Sequence, residues 1–457
     1  MKKIIIISIF ILGMIIPGLN AKAVDVSNEQ QLRAAIEQGG DITLTQNIEV
    51  TQPLVINKDV NISGSDYFSK SILMQGDNTL MTINSGNVTL AVDLYAGWNG
   101  GYDKYDNPTL TENQGKAIVV NNGNIKLSSS SLEAGNVGLE VNDGIVTGSL
   151  SISAGEKNNY SYSGGEALVA NGGTVNLNYL QLHSGGTAIT LNNNAKVYII
   201  SDMNIEEITI DSDEGNGIEV NDDASLTLKN VIIYSEQNSI YLNGGTTTLS
   251  GQIDISRFNT RPNGNSIYFN EEVNPKTKND ILVLKEDFKP SREDFDQLTP
   301  QKFSIYVNPE ILELKIIDEA GMVTLNGNKL KMSFCDYTWS SSSQSENDEN
   351  VIYSDLLGKS KDGLTKASKL YSCTPDREIE SNELGKCTTV YINGVKQNEA
   401  DASCTPVSDE ENQETQNPQV VEVPSTSAYG SIIIAALGII CVIVSVFVTR
   451  KMVKQEK

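Results

Sequence analysis

One short phrase constrains this chain more than any other feature: apolar, any residue, apolar, Asn. It returns nine times between residues 54 and 270. It reads Leu54-Val55-Ile56-Asn57, Met81-Thr82-Ile83-Asn84, Ile118-Val119-Val120-Asn121, Leu139-Glu140-Val141-Asn142 and Leu168-Val169-Ala170-Asn171. It continues as Ile189-Thr190-Leu191-Asn192, Ile218-Glu219-Val220-Asn221, Ile240-Tyr241-Leu242-Asn243 and Ile267-Tyr268-Phe269-Asn270. Successive Asn lie 27, 37, 21, 29, 21, 29, 22 and 27 residues apart. Apolar residues alternating with any residue describe a strand with one buried face. Asn122-Gly123, Asp143-Gly144, Gly172-Gly173 and Gly244-Gly245 follow four of the phrases and tolerate the positive φ that turns a chain. A second apolar pair follows the turn, as in Ile125/Leu127 and Val175/Leu177. A third comes later, as in Leu180/Leu182, Met203/Ile205 and Val231/Ile233.

Three strands per coil with a recurring turn predict an all-β solenoid, a parallel β-helix in which each coil stacks on the last. The aligned Asn then form a ladder, amide to amide. An antiparallel sandwich also favours Asn-Gly turns, but its hairpins would not repeat one phrase at such intervals. The unequal coil lengths suit a right-handed β-helix better than a left-handed one built on hexapeptides.

Composition narrows the function. The 457-residue chain carries a net charge of −24, which opposes nucleic-acid binding and docking on an anionic bilayer surface. A single histidine, His183, leaves little scope for a His-based metal site or a Ser-His-Asp triad. It follows Leu182 and is read as a strand-end residue rather than a ligand. No cofactor and no metal are expected.

In chain order, residues 1–23 read as a signal peptide: Lys2 and Lys3, an apolar run, then Ala21-Lys22-Ala23 as the cleavage site. A short helix follows, with Ser27 and Gln30 as a capping box and Leu32, Ala35 and Ile36 on one face. Laid over the first coil, it would cover an exposed strand edge. This helix, Gln30-Gln31-Leu32-Arg33-Ala34-Ala35-Ile36, then Ile42-Thr43-Leu44 and the Asn-marked coils, resembles the pectin-lyase-like superfamily of right-handed parallel β-helices, in particular its adhesin-like surface proteins. The resemblance covers residues 24–275 and implies the fold, not an activity.

Residues 276–334 break the pattern and read as a β-rich segment, either a cap on the stack or a small free-standing domain; two of its strand-like pieces end in the old phrase, at Asn308 and Asn326, which leaves room for one or two irregular coils. Residues 335–405 hold Cys335, Cys373, Cys387 and Cys404, candidates for two disulfides with the pairing open. Residues 406–427 form an acidic linker, and residues 428–449 a transmembrane helix with 19 uncharged residues from 431 to 449. The basic tail 450–457 then lies in the cytoplasm, and all that precedes the span lies outside. Val423-Pro424-Ser425-Thr426-Ser427, the span and the tail together resemble the cell-wall sorting signal of Gram-positive surface proteins. Val423 and Ser427 depart from its Leu and Gly. The resemblance implies a sortase as partner, with a permanent membrane anchor as the alternative.

Enzymatic β-helices need a carboxylate pair, or Arg or Lys acting with Ca²⁺. Between Lys196 and Lys229 the chain has nine acidic residues, among them Asp211, Asp213 and Glu219, and no basic one. That run is either a solvated face or a source of Ca²⁺ ligands or paired carboxylates. Arg257, Asn259-Thr260-Arg261 and Pro262 reproduce neither a lyase nor a galacturonase motif. The expectation is a non-enzymatic surface protein that binds a glycan or a neighbouring protein. A secreted polysaccharide lyase or glycoside hydrolase is the alternative. The extra residues of the long coils, at 95–115, 155–165, 208–216 and 257–265, are expected after the third strand. Trp98, Tyr102, Tyr105, Tyr160 and Tyr162 among them are the candidate ligand-binding residues, stacking on sugars or anchoring a partner. Packing of the loops on each other is the competing use.

Overall fold

The computed structural model describes residues 23–65, 70–103, 107–158, 161–201, 208–255, 264–270, 281–291, 304–340, 351–353, 370–401 and 403–404. Its main body is an all-β parallel solenoid made of three long sheets. The first holds the strands that end in the repeated Asn, from Leu54–Ile56 through Thr79–Ile83, Lys116–Val120, Val137–Val141 and Glu166–Ala170 onward to Ile305–Val307. The second begins at Val24–Val26 on Gly40–Leu44 and ends at Thr389–Ile392. The third runs from Ile48–Val50 to Lys289–Ser291. Every pairing that stacks one coil on the next is parallel and joins equivalent positions.

The asparagine ladder is continuous. The Nδ2–H of Asn84, Asn121, Asn142, Asn171, Asn192, Asn221, Asn243 and Asn270 donates to Oδ1 of the Asn one coil earlier, at 2.9–3.4 Å. Asn308 adds a further rung at 3.0 Å. Each rung satisfies one donor and one acceptor of neighbouring amides, worth about 0.5–1.5 kcal/mol net. Glycine is required beside the ladder. Gly144 has φ 91°, and a Cβ there would lie 2.5 Å from the Gly123 carbonyl oxygen of the coil before. Gly173, at φ 68°, meets the Gly144 oxygen in the same way at 2.6 Å. Inward-facing side chains stack in columns, such as Leu132, Ile152, Leu182, Ile210 and Ile233, all buried. They belong to one apolar core that runs the length of the stack.

Helix α1, Glu29–Gln38, buries Leu32, Ala35 and Ile36 in that core. Its N-cap is Asn28, whose side chain accepts from the Gln31 amide, and not Ser27 with Gln30. Ser27 instead donates its backbone N–H to Oε1 of Gln31, so the box is shifted by one residue. Arg33 fastens the helix to the neighbouring loop by donating to the carbonyls of Pro53 and Gln52 and to Glu29. Glu29 in turn accepts from the Thr51 amide.

The irregular coils expected after residue 275 are present: Leu282–Leu284, Lys289–Ser291, Ile305–Val307 (just before Asn308), Glu313–Asp318 and Thr389–Ile392 each add to a parallel sheet. Between the last two, the chain leaves the stack to form an antiparallel sheet of Val323–Asn326, Lys329–Ser340, Leu370–Glu383 and Val351–Tyr353. Val323, Leu330, Met332 and Leu384 join it to the common core. The coil after Asn192 differs from the sequence reading. The strand that pairs with 181–184 is Ile208–Ser212, which that reading placed in an insertion after the third strand. The expected strand pair Met203/Ile205 lies outside the described residues.

Asparagine side chains close the open strand edges at the C-terminal end. Asn382 accepts from the Val307 amide and donates to its carbonyl, both at 2.8 Å. Asn393 does the same for Asp318, at 2.7 and 3.0 Å. Each amide stands in for the backbone of an absent next coil, which blunts edge-to-edge association. Cys387 and Cys404 form a disulfide around the last strand. Cys335 and Cys373 lie on adjacent strands, and their side chains are outside the described residues.

Candidate functional site

The third sheet carries the most concentrated chemistry. Its strands alternate inward and outward, so stacking places Tyr95, Glu133, Ser153, His183, Asp211 and Tyr234 in one outward column. His183 and Asp211 are register partners on neighbouring strands. Asp213 follows the end of the Ile208–Ser212 strand, its backbone N–H donating to the Ser184 carbonyl. His183 Nε2 lies 2.9 Å from Asp213 Oδ2 and 3.6 Å from Asp211 Oδ2. The three side chains remain 28, 29 and 23 % exposed. Each offers one ligand atom, and these atoms all lie within 4.8 Å of one another. Burial raises the Asp211 pKa above the ordinary carboxylate value, and the Asp213 charge adds to it, while His183 pulls it back.

The insertions fold over this face. The 95–115 segment extends the third sheet as Asp93–Tyr102 and returns as Pro108–Leu110, paired antiparallel with it. Trp98 is only 8 % exposed, inside a satellite cluster with Leu73, Tyr95 and Leu110. Its indole N–H donates to the Gly101 carbonyl at 2.7 Å, so its polar edge is satisfied locally. Tyr102, 53 % exposed, meets the Trp98 ring edge-on. The second insertion makes a short antiparallel pair, Glu156–Asn158 with Ser161–Ser163. Tyr162 is buried, its ring 4.3 Å from the His183 ring and its backbone N–H donating to Asp213 Oδ2. Burial, then the charges of Glu133, Asp93 and Tyr162, push the Tyr95 phenol far above its ordinary pKa.

The described members of the expected aromatic face differ in exposure. Trp98 and Tyr162 are buried in packing, and of the candidates among the described residues only Tyr102 presents an open ring. Tyr105, Tyr160, Val423, Pro424, Ser425, Thr426, Ser427 and the 428–449 segment lie outside the described residues. Among the described residues, no helix is long and apolar enough to cross a membrane. A different aromatic row exists on the first sheet. Tyr241, Tyr268 and Tyr306 stack with centroids 5.0 and 4.7 Å apart. Stacked on both sides, Tyr268 has no flat face left for a sugar ring to cover.

The acidic run is dispersed by the fold. Asp211 and Asp213 reach His183, whereas Glu219 lies on the first sheet, its pKa raised by burial and by Glu166. Asp222 sits at the ladder corner, where its carboxylate accepts from the Asn193 amide. In sequence Asp211 and Asp213 stand out only as part of the acidic run and His183 only as a strand end, because the cluster forms through the register between two coils. Searches of protein-family models, curated proteins and solved structures returned no match to this chain.

Proposed function

We propose that this protein is a surface-displayed, adhesin-like right-handed β-helix that binds a glycan or a neighbouring protein. The observation that carries the reading is the unbroken Asn ladder from Asn57 to Asn308. At ~4.8 Å per coil, its nine steps span about 43 Å of stiff rod. A rod with its strand edges closed by α1 and by Asn382 and Asn393 suits the presentation of a surface at a distance. In this reading the signal peptide exports the chain and the 428–449 segment holds it at the cell surface. A sortase transfers it to the wall at the 423–427 motif, or the span itself remains as the anchor.

A binding role also fits the charges at the third sheet. Among the described residues, Asp211 and Asp213 pair with His183 and with no Lys or Arg, the bases a polysaccharide lyase employs. The second reading, a glycoside hydrolase, draws on those same two carboxylates, one with a raised pKa. Applying the full-length protein to a glycan and host-protein array separates the two. Saturable retention without shortening of any bound glycan is expected. Release of new reducing ends would replace the binding reading with the hydrolase. Mass spectrometry of wall digests checks attachment: a C-terminus at Thr426 means sorting, an intact tail in the membrane fraction means anchoring, and free full-length protein in the medium contradicts both.

A further inference from the structure

We propose that His183, Asp211 and Asp213 form a binding site for a divalent transition-metal ion of the Zn²⁺ class, which fastens the Ser161–Ser163 strand to the face of the third sheet. The distances match such an ion. Zn²⁺ holds imidazole nitrogen and carboxylate oxygen at about 2.0–2.2 Å, which puts tetrahedral ligand atoms about 3.3–3.5 Å apart. The separations from His183 Nε2 to the two carboxylate oxygens, 2.9 and 3.6 Å, bracket that value. Side-chain adjustments of about half an ångström bring both to it.

Ligand chemistry selects the ion. Two carboxylates offset the double positive charge, and one imidazole supplies the nitrogen donor that Zn²⁺ and its neighbours favour. Ca²⁺ takes six to eight oxygens and has no use for the imidazole. The ligands are also held in place before any ion arrives. His183 and Asp211 project from paired strands of a rigid stack. Tyr162 donates its backbone N–H to Asp213 and lays its ring against the imidazole, the outer-shell support that fixes ligand orientation. The partial exposure of all three side chains leaves a route for entry and room for a water as fourth ligand. Because Tyr162 touches two of the ligands, an ion bound there also restrains its strand.

The test uses the full-length protein in detergent, stripped with a chelator and titrated with Zn²⁺ against a chromogenic competitor. His183→Gln and Asp213→Asn are measured alongside. Zinc taken by free thiols is common to all three proteins, so the difference isolates the site. Wild type should bind one more Zn²⁺ per chain than His183→Gln, and Asp213→Asn should bind that ion at least tenfold more weakly. A hundredfold excess of Ca²⁺ should not displace it. Saturating Zn²⁺ should also slow hydrogen exchange of the Tyr162 amide in wild type, a readout that needs no variant to fold. Equal zinc uptake by wild type and His183→Gln, displacement by Ca²⁺, or an unchanged Tyr162 amide would each overturn the proposal.

Discussion

The corner that carries the asparagine ladder and the face that carries His183 are built from the same coils, yet they obey opposite rules. At the ladder, each coil contributes the same residue in the same role, and Gly144 and Gly173 leave no room for variation. At the third sheet, each coil contributes something different: Tyr95, then Glu133, Ser153, His183, Asp211 and Tyr234. The insertions that emerge there supply Trp98 and Tyr162. A repeated corner sets the spacing of the rod, which frees the opposite face to vary.

The largest expected effect separates the shared core from the satellite cluster over that face. Leu182→Ala opens a cavity inside the stack and should cost about 2–5 kcal/mol of global stability. Trp98→Ala removes a larger side chain from the satellite cluster, outside the continuous core. It should speed hydrogen exchange through residues 98–110 while the main melting transition moves far less than in Leu182→Ala. Equal losses in global unfolding would show that the insertion is part of the core after all.

A smaller effect compares two rungs. Asn171 lies inside the ladder, donating to Asn142 and accepting from Asn192. Asn171→Ala leaves both neighbours short of a partner and should cost about 1–3 kcal/mol. Asn57 is the first rung, and its side chain accepts from Asn84 without donating to an earlier rung, so Asn57→Ala should cost about 0.5–1.5 kcal/mol. Denaturant unfolding of the two variants measures the difference, and a terminal rung as costly as an internal one would mean that the ladder does not act rung by rung.

The smallest effect concerns pH at the capping helix. Burial works to raise the Glu29 pKa, but the hydrogen bonds from Arg33 and Thr51 outweigh it and hold the carboxyl below its ordinary 4.5. A folded-state pKa lowered in this way adds stability that is present above pH 4.5 and is lost as pH falls through the folded value. Hydrogen exchange of α1 should therefore accelerate in acid before that of the stack, and Glu29→Gln should flatten the pH dependence. An unchanged pH profile in Glu29→Gln would assign the acid sensitivity to another group.

Much of the fold was legible because stacking forces repetition. The phrase ending in Asn marks the first sheet, and the ladder appeared where the phrase placed it, extended by Asn308. Leu32, Ala35 and Ile36 face the core as their helical spacing predicts. The errors fell where one local signal had an equally good neighbour. Asn28 and Ser27 are both cap formers, and Ile208/Ile210, read as the start of an insertion, alternates as a strand does. The second choice mattered more, because it left Asp211 in a loop and not in register with His183.

By itself the sequence determined the solenoid, its three strands per coil, its laddered corner and the helix at its start. Each of these follows from periodicity and backbone sterics acting within one or two coils. Only the tertiary structure decided which residues meet across the third sheet and that the stack runs on to Ile392. It also decided that Trp98 and Tyr162 turn inward while His183 gains two carboxylates. Those outcomes depend on the register between coils 20 to 40 residues apart and on loops folding back over a sheet. Neither leaves a periodic trace in the chain, because each contact is made once.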